Sequence, residues 1–438
     1  MASKTRIAIT TFAVVVISAV AFTPKVIGLG IQDLTINNLV ALIPPQTNSQ
    51  LAIGETSFDS GWFGSTAIIN AIYTPIGMEP IAVDFDFSIK HGPLLSTNNG
   101  LRLGIAYAEI TPKIAAALPV FETASTVQFP DTLIELFADF SQSLLIRVTV
   151  DPTSHTGIYE EFEFAGLSAS FLARADQSAE LLINIGQLTI KESRNNLDFT
   201  IEGIEVISKS TKITDILAPT SATFSIPSIK SSAPVALAID NILASSQLRA
   251  SSNPSAIQLN QRIATQNIAG DSPLQSFDWQ LEIDQVQRQL VSDYYNLLSD
   301  LQSQSKVDAQ AAALKINQIS QELSLLVFNN PLVINNLVTA KLYDGMHRAE
   351  LKLRWDGLPK LGNIAALNLN EAIAAIDMSL DVSLDFNSIM KSPVAEQVES
   401  FVNQGFIFIE NDKISVKATL RNSQLMLNGE DIPLDQFF

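Results

Sequence analysis

A chain of 438 residues with 45 acidic and 27 basic side chains carries a formal charge of −18, and 47% of it is hydrophobic. That charge repels phosphate backbones and excludes nucleic-acid binding. The absence of cysteine excludes disulfides, thiolate catalysis, thiolate metal sites and attachment through an acylated cysteine, while the length allows one to three domains.

Ile7 to Thr23 is an uncharged apolar run behind Lys4 and Arg6 and in front of Pro24 and Lys25. Its polarity is that of a membrane-targeting segment whose N-terminus stays in the cytoplasm. As a helix it rises about 25 Å, slightly short of a hydrocarbon core of roughly 30 Å, and Val26, Ile27 and Leu29 would complete the span. The competing reading is a signal peptide cleaved after Ala21, because Ala19-Val20-Ala21 is a small-x-small site. Residues 1–30 are therefore expected to form an anchor or signal segment, with no second span after them. A linker helix is expected over 31–55, ended by Pro44-Pro45.

Residues 56–278 read as a β-rich meander. Thr56 to Ala67 suggests a strand, a bend at Gly61-Trp62-Phe63-Gly64 and a second strand. Ile81 to Lys90 alternates apolar with polar residues, the pattern of a half-buried antiparallel strand, and Leu101 to Ile110 is expected to return beside it. Further strands are expected at Leu144–Val150, Gly157–Ala165, Leu181–Ile190 and Asn196–Ile207, followed by short edge strands and loops over Ser208–Ser272. Residues 279–329 change rhythm. Ile283, Val286, Leu290, Tyr294, Leu297 and Leu301 are spaced by three and four, as in an amphipathic helix, and a second set from Val307 to Leu326 repeats the pattern. Residues 330–438 return to strands, with long alternating runs at Ala349–Trp355 and Ile376–Phe386, a short helix at Val394–Val402 and closing hairpins from Gly405 onward. The fold expected is α+β and β-dominated: a long twisted antiparallel meander with a helical segment packed on one face, preceded by one transmembrane helix.

The N-terminal anchor, Phe58-Asp-Ser-Gly-Trp-Phe63, the strand ending in His91-Gly92-Pro93-Leu94, Pro331 with the hairpin at Gly345, and Gln404-Gly-Phe through Leu427-Asn-Gly429 to Ile432-Pro-Leu434 together resemble the YdgA-like family of bacterial envelope proteins, a domain of unknown function. The likeness spans nearly the whole chain in order. It implies a protein anchored in the inner membrane with a periplasmic β-rich body, and it brings no catalytic residues with it.

The chemistry written in the chain is sparse. His91, His155 and His347 are the only histidines, none spaced for a helical zinc motif, so neither a metal nor a cofactor is expected. His91, with Gly92 and Pro93, is read as bracing its loop. Trp62 and Phe63 beside Gly61 are read as an aromatic pair in the core, and Asn428-Gly429 as a tight turn. Asp84 and Asp86 stand about 7 Å apart on one strand face, near the separation an inverting glycosidase uses, but acids at i, i+2 are also what any wet face carries. No nucleophile elbow, phosphate loop or dinucleotide fingerprint occurs. The function expected is a non-enzymatic envelope protein that binds lipid or another apolar ligand along a sheet groove. The alternatives are a scaffold that holds envelope proteins through the 280–327 helices, and a hydrolase gathering His91 or His347 with a serine and a carboxylate.

Overall fold

Period-two alternation forces most of this chain to pair edge to edge, because a strand with one apolar face is unstable until a neighbour and a covering layer satisfy it. The computed structural model describes residues 51–60, 64–73, 81–114, 118–119, 126–127, 130–194, 196–270, 273–294, 321, 323–358, 361–403 and 407–433. The anchor segment, Gly61-Trp62-Phe63 and most of the stretch expected to be helical lie outside the described residues. No helix among the described residues is long and apolar enough to cross a membrane.

The strands are β1 (Leu51–Ser60), β2 (Gly64–Tyr73), β3 (Ile81–His91), β4 (Leu94–Thr97), β5 (Gly100–Leu103), β6 (Ala106–Ile114), β7 (Leu118–Pro119), β8 (Thr126–Val127), β9 (Thr132–Ala138), β10 (Leu144–Val150), β11 (Thr153–Thr156), β12 (Glu160–Phe164), β13 (Leu167–Ala173), β14 (Ala179–Ile185), β15 (Leu188–Glu192), β16 (Leu197–Ile201) and β17 (Ile204–Ser210). They continue as β18 (Thr220–Ala233), β19 (Leu237–Ala250), β20 (Ala256–Gly270), β21 (Leu274–Gln287), β22 (Leu332–Leu342), β23 (Gly345–Trp355), β24 (Ile376–Asp385), β25 (Phe408–Glu410), β26 (Lys413–Arg421), β27 (Gln424–Leu427) and β28 (Glu430–Ile432). Among the described residues, 24 of these belong to one sheet, and β4–β5 and β7–β8 form separate two-stranded ribbons. The chain divides into two compact units, Met1–Ile216 with Ser231–Pro234, and Leu217–Lys230 with Val235–Phe438.

In the first unit an antiparallel run passes β1–β2–β3–β6–β9–β10–β13–β14–β17. A second ribbon, β11–β12–β15–β16, is paired separately. Phe162, Phe164 and Leu188 of that ribbon pack with Ile146, Val148, Ala169 and Phe171 of the long run, which makes one dry core. Each residue on the inner face of β10 is buried and each is paired with a buried residue of β13: Leu144 with Ala173, Ile146 with Phe171, Val148 with Ala169, Val150 with Leu167. Two expected strands are split by this arrangement. Leu181–Ile190 becomes β14 and β15, and Asn196–Ile207 becomes β16 and β17, because the chain crosses between the two ribbons at Gly186 and Gly203. A Cβ on Gly186 would stand 2.9 Å from the backbone of Ala165, so only glycine allows that crossing.

The second unit carries β19–β20–β21–β22–β23–β24–β26 as a continuous antiparallel run, with register shifts in the β19–β20, β20–β21 and β21–β22 pairings. Three corrections belong here. Residues 220–270, expected as short edge strands and loops, form strands of 14 and 15 residues. Residues 279–287, expected as the start of an amphipathic helix, are strand; the described helical residues of that region are 288–294, 321 and 323–329. The cause is a β-bulge: Ile257 faces Val286 and Leu259 faces Ile283, so Asp284 and Gln285 together oppose Gln258, and Gln285 takes φ +64°. The bulge returns Val286 to the face of Ile283 after three residues, which imitates helical spacing. Leu51–Glu55, assigned to a linker helix, belongs to β1.

Candidate functional site

The register of the second unit sorts its side chains onto two faces. One carries a charge ladder: Arg262 bonds Asp278 at 2.7 Å, Glu350 bonds Arg348 at 2.8 Å and Lys352 at 2.9 Å, and Arg421 bonds Asp377 at 3.0 Å. These are solvated pairs that add little stability. The other face is apolar in consecutive rows. Leu248, Leu259, Ile283, Ile334, Leu353, Met378 and Leu420 lie side by side across seven strands, and Ala244, Ile263, Trp279, Val338, Ala349, Val382 and Val416 form a parallel row.

None of those fourteen side chains except Leu420 is buried, and Ile263 is 43% exposed. The first unit shows what a covered face looks like, with every second residue of β10 and β13 buried. Buried apolar clusters of the second unit lie instead at the ends of the strands. At one end Trp355 is buried, its indole N–H donates to the Phe328 carbonyl at 3.1 Å, and its ring meets the Phe328 ring edge-on at 6.0 Å. At the other end Ile389 and Val398 pack on Ile414. His347 and Trp355 stand on this face eight residues apart, about 27 Å along the strand, and six strand spacings span about 29 Å. Seven strands thus present a wide, half-exposed apolar surface closed at both ends, far larger than scattered exposed hydrophobics would need.

The two histidines singled out for hydrolysis each meet a serine, and at His347 the polarity is the wrong one. His347, 8% exposed, has Nε2 at 3.1 Å from the Leu342 carbonyl and 3.1 Å from Ser388 Oγ, while Nδ1 is buried without a partner. A carbonyl only accepts, so the proton sits on Nε2 and the imidazole is the donor in this pair. Ser388 Oγ accepts from it and donates to the Asp385 carbonyl at 3.0 Å. A nucleophilic serine requires the reverse, with its proton facing the ring lone pair. The Asp385 carboxylate does not reach the ring nitrogen; it accepts from the Ser388 backbone N–H at 2.8 Å and caps the helix Phe386–Ile389. His91 Nε2 lies 3.3 Å from Ser65 Oγ, and no carboxylate hydrogen-bonds its ring among the described residues. His155 stands on β11, opposite Phe162.

The Asp385 cap sets a pH dependence. The Ser388 backbone N–H holds the Asp385 carboxyl below the usual carboxylate range, with Ser388 Oγ, His347 and Lys391 acting in the same direction against a smaller effect of burial. A depressed folded value adds stability above the unfolded carboxylate pKa near 4, and that contribution is lost as pH falls through the folded value. Asp385→Ala is expected to cost about 1 kcal/mol at pH 7 and less near pH 2, where only a neutral cap is left to lose, whereas Asp385→Asn, which keeps a neutral cap without the charge, falls slightly below wild type at pH 7 and matches it near pH 2. Thermal denaturation at both pH values checks this; an equal cost at the two would refute the charge-dependent part.

Asp84 and Asp86 are both engaged. Asn70 Nδ2 donates to Asp84 at 2.7 Å and Lys113 Nζ pairs with Asp86 at 2.5 Å. Asp86, without Asp84, lines an open depression of about 520 Å³ on the first unit, together with Asp59, Glu109 and Lys113. A smaller recess lies under the β4–β5 ribbon, where Tyr107, 2% exposed, donates to Glu135 at 2.6 Å; burial and then Glu135 push its hydroxyl above the normal range. Among the described residues no group of three or more metal-ligating side chains converges.

The motif residues hold backbone. Gly92 donates to the Ile105 carbonyl at 2.9 Å and Gly104 donates to the Pro93 carbonyl at 3.1 Å, tying the entry of the β4–β5 ribbon to its exit. Asn428 and Gly429, at φ +52° and +89°, make the two-residue turn between β27 and β28, and Asn428 Oδ1 accepts from the Lys417 backbone at 2.7 Å.

Fold and face define a class: a strand-built protein that offers a broad apolar sheet surface and no assembled catalytic constellation among its described residues. The chain belongs to the family described as bacterial protein of unknown function (DUF945), whose model matches residues 4–435. No curated protein and no solved structure matches it.

Proposed function

We propose that this chain is a YdgA-like protein of the bacterial envelope, held in the inner membrane by the apolar segment Ile7–Thr23 with its body in the periplasm, and that the apolar face of the second unit carries lipid or another apolar ligand. The observation that carries the reading is the half-exposure of the Leu259–Ile283–Ile334–Leu353–Met378 row and its neighbours, which a folded chain in water would otherwise hide. The lysine and arginine ahead of the apolar segment support the orientation. Cleavage after Ala21 would leave the same body free in the periplasm, and the mass of the mature chain in membrane and soluble fractions distinguishes the two. The scaffold reading loses residues 280–287, which are strand, and would rest on the helical residues that follow from 288.

A photocrosslinking amino acid placed in the full chain at Leu351 or Val338, on the apolar face, is expected to capture lipid in intact cells, and one at Lys352, on the charged face, is not. Lipid adducts at all three positions, or at none, would remove the ligand role.

A further inference from the structure

The apolar face is interrupted by one row that does not fit a plain hydrocarbon site. Between the Ile263–Trp279–Val338 row and the Leu259–Ile283–Ile334 row runs Ser246–Gln261–Leu281–Asn336, three polar residues in four strands. Farther along the same row, β23 and β24 return to Leu351 and Leu380. Asn336 is oriented: the Trp279 indole N–H donates to its Oδ1 at 2.7 Å, which fixes the amide and turns its NH₂ group away from the indole. That NH₂ has no acceptor among the described residues, and neither Gln261 nor Ser246 makes a side-chain hydrogen bond there. Asn336 is half-buried, so its donors sit partly desolvated amid apolar side chains, where a hydrogen bond to a ligand counts for more than in open water.

We infer that this polar row is a recognition notch for a carbonyl, and that the ligand of the face is an acyl ester or acyl amide: hydrocarbon on the flanking rows, with the linkage carbonyl accepting from Asn336 Nδ2. This rests on the reading of the face as a ligand surface and names the class of ligand. A carbonyl only accepts, and the notch offers a donor whose own acceptor is already occupied. Trp279 is a positioning residue, acting through the amide it holds. A plain alkane would leave the Asn336 donors unpaired and stripped of water, so the site discriminates against it.

The test uses the full chain held in an amphipathic polymer free of lipid. Displacement of a fluorescent apolar dye is measured for two probes of equal chain length, a fatty-acid methyl ester and the corresponding alkane. Wild type is expected to bind the ester about fivefold more tightly, the value of one neutral hydrogen bond. Asn336→Asp keeps the acceptor for the Trp279 indole but has no N–H to offer, and it should bring the ratio to about one; Trp279→Phe should lower it. The ratio is internal to each variant, so a loss of stability does not imitate the effect. Equal binding of ester and alkane by wild type overturns the notch while leaving an apolar ligand in place, and so does an ester preference that survives Asn336→Asp. Binding of neither probe, or a dimer whose apolar faces cover each other, overturns the ligand surface together with the notch.

Discussion

Alanine in place of Gly92 is expected to lower the stability of the first unit by about 3 kcal/mol or more, the upper end of what an overpacked site costs. A Cβ built there stands 1.8 Å from the Gly104 carbonyl oxygen and 3.1 Å from that of Ile105. Both are backbone atoms, and both belong to the hydrogen-bonded crossing in which Gly92 donates to Ile105 and Gly104 donates to Pro93. No rotamer change relieves the contact; the β4–β5 ribbon has to lift from β6. Tyr107, whose hydroxyl accepts from Asn98 at 3.5 Å and donates to Glu135, would lose that cover as well. Gly100→Ala is the matched control. Its φ of +98° disfavours a side chain, but nothing lies within 4 Å of the new methyl, so about 1 kcal/mol is expected. In thermal melts the first change should shift the midpoint by roughly 6 to 12 °C and the second by roughly 2 to 4 °C. Equal shifts would show that the ribbon gives way to the new methyl, and that the close approach to Gly104 is not what makes glycine necessary at position 92.

That pair of glycines also shows which parts of the fold were legible in the sequence. His91-Gly92-Pro93-Leu94 reads as the end of a strand, and the return expected over Leu101–Ile110 is met from Ala106 onward, while Leu101–Leu103 pairs with β4 instead. The reason for glycine was not legible, because the atom it avoids is twelve residues away across a ribbon. Strands with clean alternation, such as β3, β10 and β24, were found nearly to the residue, and β23 was found from Ala349 to its end. Failures arose where a tertiary contact reset the phase. The Asp284–Gln285 bulge made strand β21 imitate a helix, and the crossings at Gly186 and Gly203 cut two apparent strands into four. β18, β19 and β20 were missed because Ser, Asn and Gln interrupt their apolar alternation. Their pairing is carried by long registers with neighbours and not by intrinsic preference. The apolar rows of the candidate face were visible strand by strand, as Leu351, Leu353, Leu380 and Val382. What sequence could not provide is that those rows stay half-exposed, or that Trp279, expected on a helix, fixes Asn336 across two paired strands.

An aspartate at Leu351 separates an open face from a covered one and carries the larger functional consequence. Leu351 lies at the centre of the face, paired with Asn336 on β22 and Leu380 on β24. On an open face the carboxylate keeps most of its water, and the cost is the partial burial of one leucine, about 1 to 2 kcal/mol. Beneath a closed apolar layer the same carboxylate would be an unpaired buried charge, costing several kcal/mol more or forcing its protonation. The expected result is therefore a modest fall in midpoint together with a loss of apolar-dye binding of tenfold or more, on the order of 1.4 kcal/mol. The neighbouring Lys352→Asp, on the charged face, should leave dye binding unchanged, though it removes the 2.9 Å pair with Glu350. A collapse of folding in Leu351→Asp would mean that the leucine is core, and the ligand surface would have to be abandoned. A folded variant that still binds dye would place the binding elsewhere. Only the combination of intact fold and lost binding assigns the apolar rows of β19–β26 to a ligand instead of to the interior of the protein.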